Sequence, residues 1–508
     1  MFRNCVFIFI VCLCAVFSGG ENGSLSFAAE TAGEQIDRSR FDDPAIQALS
    51  GTLAHYIMGM IYDDFGETPS AIAEYEKALE FDGEPPEIYI KLGADLLLMG
   101  DMARASEALR KAVELDPSNT KPYILLAIIS TAEGNFEQAE KWYNDALKYD
   151  PENVKLLTFL SDLFVIQQKL DKAAEIYERI RKLKKDDPFV HFNLGVIYSK
   201  LNRLDKAEES LQRAIDVDKD YLEAQMVLGY IYEIEGRASE AIRQYDKVTQ
   251  IDSLNKEAHM RLGRLYYRLG EKEEAIAQNR ILMRLDIYSP EPYLRNFSIY
   301  VSEKKYTEAE RVLKEALRNG ISKAVIYASL GYQASLENEY GKAVDYYRVA
   351  VEKAPENVTY KFYLGASLDR SGNRREAVEV LEEIVSSGKE APAEAYNYLG
   401  YLLTEEGRDI DRAIELIKKA LDIDPDNGAY LDSLGWAYFK KGRMEEALFY
   451  IEKAVKALPD DPVVREHLGD VHERMGRQQE AADQWKKALE LDPGNEALQK
   501  KLRRVEQR

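Results

Sequence analysis

Cysteine is almost absent from the sequence. The 508 residues contain only three, Cys5, Cys12 and Cys14, all at the amino-terminal end. The chain beyond residue 14 therefore has no disulfide, no thiol nucleophile and no cysteine-based metal site. Such a chain suits an oxidising compartment, where free thiols would be oxidised.

Positive charge is also scarce. Lys and Arg total 68 against 89 Asp and Glu, which gives a net charge of -21 at pH 7. A surface with this excess of negative charge repels phosphate backbones. We therefore expect no nucleic-acid binding.

Long apolar runs are missing too. The longest amino-terminal run, residues 5–17, follows Arg3 and is shorter than the ~20 residues of a membrane-spanning helix. Small residues and a Ser-Phe-Ala-Ala sequence follow, so residues 1–28 are expected to be a secretory signal peptide, cleaved after Ala28 or near Ser18–Gly20. An uncleaved membrane anchor is the alternative. Residues 29–51 are interpreted as a polar linker and the start of the first helix.

Sequence motifs of the common enzyme classes are absent. The sequence contains no Gly-rich phosphate loop, no G-x-S-x-G elbow and no H-E-x-x-H motif. The many carboxylates have no spacing that would select a catalytic pair. We expect no enzymatic activity, no cofactor and no metal site.

Small residues and proline recur in the sequence with a spacing of 34 residues. Gly435, Ala447, Ala454 and Pro459 are separated by 11, 6 and 4 residues, and the same spacing begins at Gly93, Gly331 and Gly469. With this glycine taken as position 8 of a repeat, thirteen repeats cover residues 52–495, and twelve have a small residue there. The glycines at position 8 are Gly59, Gly93, Gly195, Gly229, Gly263, Gly331, Gly365, Gly400, Gly435 and Gly469.

Positions 20 and 27 are also small. Position 20 is Ala in all thirteen repeats, and position 27 is Ala in nine. Two helices cross closely only where their side chains are small, and a larger residue there would cost ~1–3 kcal/mol. Each repeat is therefore predicted to be two helices joined by a tight turn, in which position 8 meets position 20 and proline at position 32 ends the second helix.

These residues resemble the tetratricopeptide repeat, which has Gly at position 8, Ala at 20 and 27, and Pro at 32 on a 34-residue period. The resemblance implies an all-α fold, a right-handed superhelical solenoid of stacked helix-turn-helix repeats. Residues 496–508 are expected to form a capping helix. The sequence departs from the pattern where Phe297 occupies position 8 of the eighth repeat, which predicts an opened or bent hairpin. Seven repeats lack Pro at position 32, so their second helices are expected to end less sharply.

Other solenoids and sites fit less well. A coiled coil would show heptads, and a pentatricopeptide array would step by 35 residues and be basic. His55, His191 and His259 share position 4 of different repeats, so they are interpreted as packing residues and not as metal ligands. Some members of the family bind chaperone tails through a carboxylate clamp, whose residues come from three consecutive repeats. No three consecutive repeats of this sequence supply those residues.

The first candidate site is basic. In the family the inner wall of the superhelix is lined by first helices, and at these positions the seventh repeat has Arg261, Arg264 and Arg268 while the eighth has Arg295. Four arginines in an acidic chain could bind a carboxylate or an acidic peptide. The alternative is that they pair with nearby glutamates such as Glu257, Glu271 and Glu291.

The second candidate site is aromatic. Tyr and Trp anchor interfaces because they bury much area with little loss of entropy. The alternative is packing between adjacent first helices. The candidates are Tyr230, Tyr332, Tyr401, Trp436 and Phe439.

The resemblance implies a non-catalytic scaffold or adaptor that binds other proteins or peptides. The last three repeats resemble those of exported bacterial proteins, which implies a role in assembling envelope complexes for secretion, pili, polysaccharide export or the outer membrane. An accessory or regulatory subunit of an envelope enzyme is the alternative. The expected location is the periplasm or envelope, with membrane contact only through partners or an uncleaved amino terminus, and the oligomeric state is left open.

Overall fold

The structure is a computed structural model that describes residues 44–81, 84–387 and 391–506. The predicted signal peptide lies outside these residues. The described part contains 27 α-helices, arranged as thirteen consecutive hairpins and one final helix. The helices are α1 (Pro44–Asp64), α2 (Thr68–Ala78), α3 (Pro86–Leu98), α4 (Met102–Leu115), α5 (Thr120–Ala132), α6 (Phe136–Tyr149), α7 (Val154–Ile166), α8 (Leu170–Leu183), α9 (Pro188–Lys200), α10 (Leu204–Val217), α11 (Leu222–Ile234), α12 (Ala238–Ile251), α13 (Lys256–Leu269), α14 (Lys272–Leu285), α15 (Glu291–Ser302), α16 (Tyr306–Arg318), α17 (Ala324–Leu336), α18 (Tyr340–Lys353), α19 (Val358–Arg370), α20 (Arg374–Ser386), α21 (Ala393–Glu406), α22 (Ile410–Ile423), α23 (Gly428–Lys441), α24 (Met444–Ala457), α25 (Pro462–Arg474), α26 (Gln478–Leu491) and α27 (Glu496–Glu506).

The turn inside each hairpin follows one conformation. Position 15 has a positive φ in all thirteen repeats, where glycine is favoured because it has no Cβ. Nine repeats have glycine there, and the other four accept the strained conformation at Gln168, Asn202, Lys304 and Asn338. The turn reverses the chain, so the two helices of a repeat lie side by side.

The small residues lie where the two helices of a hairpin meet. The alanine at position 20 is completely buried in every repeat, including Ala447. Ala454, at position 27, is also completely buried. The all-α solenoid of helix-turn-helix repeats is therefore confirmed.

Some second helices end at the same position with or without proline at position 32, although α16 ends one residue earlier in the register. α24 ends two residues before Pro459, and α12 ends two residues before Ser253. In the repeat without proline, the Asp252 carboxylate accepts a hydrogen bond from the Leu254 backbone N–H at 3.1 Å. An aspartate that bonds the backbone two residues on forms a turn in place of a further helical turn. The expectation that these helices end less sharply is wrong in this repeat.

The eighth repeat places its phenylalanine in the core. Phe297 is buried and packs in one cluster with Ala309 and Leu313. Its helix, α15, has 12 residues and is the shortest first helix among the described repeats. The substitution is thus accommodated by local packing.

The described helices divide into two compact parts, one ending at Ala258 and the other beginning at His259. At the end of the second part, Leu498 and Leu502 of α27 pack against Trp485 and Ala481 of the last hairpin. Lys501 of α27 also bonds Asp470 at 2.6 Å. No helix in residues 44–81, 84–387 and 391–506 has the length and hydropathy that crossing a bilayer requires.

Candidate functional site

Two of the four candidate arginines line one pocket in the second part of the chain. Arg264 projects from α13 and Arg295 from α15, and the pocket has a volume of about 200 Å³. Arg261 and Arg268 lie on α13 outside the lining of this pocket. The lining residues are Gly263, Arg264, Tyr267, Asn279, Arg295, Ser298 and Ile299.

The pocket exists because one large side chain is missing from the repeat pattern. Elsewhere a large side chain at position 24 fills the space beside position 8: a Cβ added to Gly400 would lie 2.6 Å from Ile417 Cγ1. The seventh repeat has Asn279 at position 24, and a Cβ on Gly263 would meet nothing nearer than Gln278 Cβ at 3.4 Å. The residues at position 24 are Tyr75, Leu109, Tyr143, Tyr177, Leu211, Tyr245, Asn279, Leu313, Tyr347, Leu381, Ile417, Ile451 and Trp485.

The Asn279 side chain supplies an unused acceptor. Asn279 is 2% exposed, and its Nδ2 donates a hydrogen bond to Asn296 Oδ1 at 2.8 Å. Its Oδ1 has no hydrogen-bond partner among the described residues. A buried polar atom without a partner is costly, so a ligand that donates a hydrogen bond here would be favoured.

Arg264 and Arg295 bring positive charge to the same pocket. No carboxylate of the described segments lies within ion-pairing distance of either guanidinium. Burial lowers the pKa of Arg295, and the charge of Arg264 lowers it further, while Glu291 acts in the opposite direction. Glu291 instead accepts a hydrogen bond from Ser289 Oγ at 2.6 Å.

This arrangement suits one kind of chemical group. Guanidinium groups bind carboxylates by charge-assisted hydrogen bonds. The Asn279 oxygen accepts a hydrogen bond from an N–H donor. An acidic residue of a peptide offers both a carboxylate and a backbone N–H.

Trp436 and Phe439 lie together, as part of a stack. Their rings are 4.8 Å apart, and the His467 ring of α25 lies 4.0 Å from the other face of Trp436. Trp436 Nε1 donates to Glu405 Oε1 at 2.7 Å. Trp436 and Phe439 are half-buried. The stack joins the first helices α23 and α25, which is the packing considered as the alternative to partner binding. A role of Trp436 and Phe439 in partner binding stays a prediction.

The candidate tyrosines differ in their exposure and surroundings. Tyr230 and Tyr332 are exposed, and they belong to different parts of the chain. Tyr401 is half-buried, and burial raises the pKa of its phenol, with a further contribution from Glu405. The charge of Asp432, which bonds His467, also acts on Tyr401, so this tyrosine lies near the groups that hold the Trp436 stack.

The histidines at position 4 bond to protein groups. His55 Nδ1 lies 2.7 Å from Glu74, and His259 Nδ1 lies 2.7 Å from Gln278. His191 Nε2 lies 2.7 Å from the Lys185 carbonyl oxygen. Within the described ranges, no group of His, Cys, Asp and Glu is arranged to hold a metal ion.

Two residues of these sites were not predicted from the sequence. Asn279 could have been found, because it is the one polar side chain in the column of position 24. His467 is not among the residues that the sequence selects. Its sequence position gave no sign that it stacks on Trp436 and bonds Asp432 at 3.0 Å.

Comparison with known families gives a consistent result. Five family models, each described as tetratricopeptide repeat, match stretches that together cover more than half of the chain. The matched residues are 53–85, 96–163, 188–221, 234–283, 362–428, 403–469 and 464–495.

Similarity to individual proteins is limited. The uncharacterized protein ycf37 of Cyanophora paradoxa is 29% identical over 92 residues, which are 17% of this chain and 54% of that protein. The chain thus spans about half the length of that relative. The photosystem I assembly protein Ycf3 of Rippkaea orientalis is 29% identical over 158 residues, 28% of this chain and 90% of that protein. The crystal structure of the APC/C hetero-tetramer Cut9–Hcn1 is similar at 17% identity and a TM-score of 0.41, over 90% of this chain and 97% of that one.

Proposed function

This chain belongs to the tetratricopeptide-repeat family, and we propose that it is a non-catalytic scaffold or adaptor of the bacterial cell envelope. Repeats of this family bind other proteins or peptides. The apolar run of residues 5–17 and the absence of cysteine after Cys14 support an exported chain whose residues 1–28 are removed. Cell fractionation with mass measurement of the mature amino terminus tests this location, and an intact Met1 would contradict it.

We base the proposal for what the scaffold binds on the pocket formed by Arg264, Arg295 and Asn279. Two guanidinium groups without carboxylate partners among the described residues lie beside a buried acceptor that also lacks a partner. We propose that the pocket holds an acidic side chain of a partner protein, with the carboxylate on the arginines and a backbone N–H on Asn279 Oδ1. The partner would contribute the rest of its affinity elsewhere on the repeats.

A pair of labelled peptides tests the pocket directly. An eight-residue peptide of alternating Glu and Gly should bind the protein, and the same peptide with Gln in place of Glu should not. In the Arg264→Gln, Arg295→Gln variant we expect the affinity to fall about tenfold or more, since a hydrogen bond to a charged group contributes ~1.5–3 kcal/mol. Fluorescence anisotropy gives the dissociation constants.

Arg268→Gln is the matched control. It removes one positive charge from the helix that carries Arg264, at an exposed position outside the pocket. An equal loss of affinity in this control would show that overall charge matters and not the pocket. Unchanged binding in the double variant would contradict the proposal.

Affinity capture from an envelope extract would identify the natural partner. The wild type, the double arginine variant and a Trp436→Ala variant should be compared side by side. A partner lost only from the arginine variant would bind at the pocket. If an enzymatic activity is captured with the chain, the alternative of an accessory subunit is favoured.

A further inference from the structure

The outward face of α1 is a continuous apolar surface. Its ridge consists of every fourth residue, from Leu49 (65% exposed) to Phe65 (78% exposed), which directly follows the end of α1. Exposed apolar patches of several hundred Å² usually mark an interaction site. The side chains of this face are Leu49, Leu53, Ile57, Met58, Ile61 and Phe65.

The repeat register shows that part of this surface, at Met58 and Ile61, is a packing face. Positions 7 and 10 of the fifth repeat are Leu194 and Ile197, and both are buried. In the first repeat the same positions are Met58 and Ile61, and both are 40% exposed. The surface that later repeats cover is therefore apolar and open on α1.

The surface of α27, the last helix, differs from that of α1. α27 buries Leu498 and Leu502 against the last hairpin, and it exposes Glu496, Lys500 and Arg503. The last helix therefore has no apolar face to offer to α1 of another copy. This argues against head-to-tail association and leaves head-to-head pairing.

We propose that α1 is a dimer interface, in which two copies pair their α1 helices antiparallel about a two-fold axis near Ile57. The ridge is symmetric about this residue, so Leu53 of one copy would meet Ile61 of the other. Rows of residues four apart interdigitate in the commonest class of helix packing. Six such side chains from each copy would remove on the order of 1,000 Å² from water, near the lower limit for a specific interface.

Charge favours the antiparallel arrangement. The exposed face has no charged residue between Leu49 and Ile61, and Asp63 and Asp64 lie at one end of α1. Asp63 pairs with Lys91 Nζ at 3.1 Å, and Asp64 is exposed. Asp64 is seven residues from Ile57, so antiparallel pairing would separate the two acidic ends by ~20 Å at 1.5 Å per residue. This exceeds the Debye length of about 8 Å in physiological salt, whereas parallel pairing would bring the acidic ends together.

The chain's own preceding segment is a poorer occupant. Residues 29–43 contain Ile36 and Phe41 as their only large apolar side chains, five positions apart. Two such residues do not make an apolar ridge. The run of residues 5–17 is apolar enough, but a cleaved signal peptide would not be present.

A single introduced cysteine tests the geometry. In the full chain with Cys5, Cys12 and Cys14 changed to Ser, Ile57→Cys would place two thiols beside the two-fold axis. We expect mild oxidation to link most of the protein as a dimer. Leu254→Cys, at a position 67% exposed in a turn, is the matched control and should stay largely unlinked.

Sedimentation equilibrium separates the remaining possibilities. The wild type should form dimers at micromolar concentration, and Ile57→Glu should be monomeric with unchanged helicity. A monomeric wild type, or Ile57→Cys linked no more than the control, would overturn the proposal. If dimers form only when mass measurement finds residues 1–28 still attached, that segment causes the association and the α1 interface is wrong.

Discussion

At the residue scale, position 8 decides how closely the two helices of a repeat approach. The sequence predicts this contact from its columns of Gly and Ala, and the buried alanines agree with it. The large side chain that fills the space, at position 24, was not predicted. A column of glycines indicates a close approach, but only coordinates show which atoms make it.

Two Gly→Ala substitutions should therefore have opposite effects. A Cβ on Gly435 would lie 3.0 Å from the Ile451 backbone N and 3.1 Å from the Ala447 carbonyl oxygen. Backbone atoms cannot move aside cheaply, so Gly435→Ala should lower the local free energy of unfolding by ~1–3 kcal/mol. Gly263→Ala meets only ordinary contacts and should leave stability unchanged or raise it by up to ~1 kcal/mol, because alanine favours helix.

Hydrogen exchange of α23 and α24, compared with α13 and α14, measures both effects. Gly263→Ala also narrows the pocket, so it should weaken peptide binding in a stable protein. Equal destabilisation by the two substitutions would show that the Gly263 site is filled like the others.

At the element scale, the stack between α23 and α25 contains a titrating group. Burial alone lowers the pKa of His467, but the charge and hydrogen bond of Asp432, with Asp470 and Glu466, outweigh it and raise the pKa above its ordinary value of 6.5. A histidine with a raised pKa in the folded state stabilises the fold fully below pH 6.5. That contribution is lost as the pH rises through the raised value.

The contact between α23 and α25 should therefore weaken as the pH rises from 6.5. Hydrogen exchange in these helices, corrected for the intrinsic pH dependence of exchange, should show falling protection in the wild type. His467→Phe keeps an aromatic ring beside Trp436 and removes the titration, so its protection should not change with pH. The same pH dependence in both proteins would assign the effect to another group.

The two candidate sites differ in how far the sequence could predict them. Arg264 and Arg295 line one pocket, as inner positions 9 and 6 of consecutive repeats indicated, while their role in binding stays a prediction. Arg261 and Arg268 share the same helix but do not line the pocket. The repeat register already separates Tyr230 and Tyr332 from Trp436, since these residues belong to the sixth, ninth and twelfth repeats.

At the scale of the whole molecule, the 34-residue spacing is sufficient to predict the all-helical solenoid. The spacing repeats a local structure, and each repeat mainly contacts its neighbours. Partners are not encoded in the spacing, because they contact exposed side chains that the repeat pattern leaves free to vary. The open face of α1 illustrates the limit: its apolar residues fit the pattern, and only the absence of a preceding repeat in the described chain makes them a surface.

The repeat architecture predicts how many repeats lose stability when one buried residue is substituted. Ala447 is completely buried where α24 meets α23, so Ala447→Leu should overpack the contact and cost ~1–3 kcal/mol. In a chain of nearest-neighbour contacts, the loss should be confined to the twelfth repeat and the repeats beside it. Hydrogen exchange should rise in α23, α24 and α25 and stay unchanged in α3 to α10. Faster exchange throughout residues 86–217 would show that the chain unfolds as one cooperative structure.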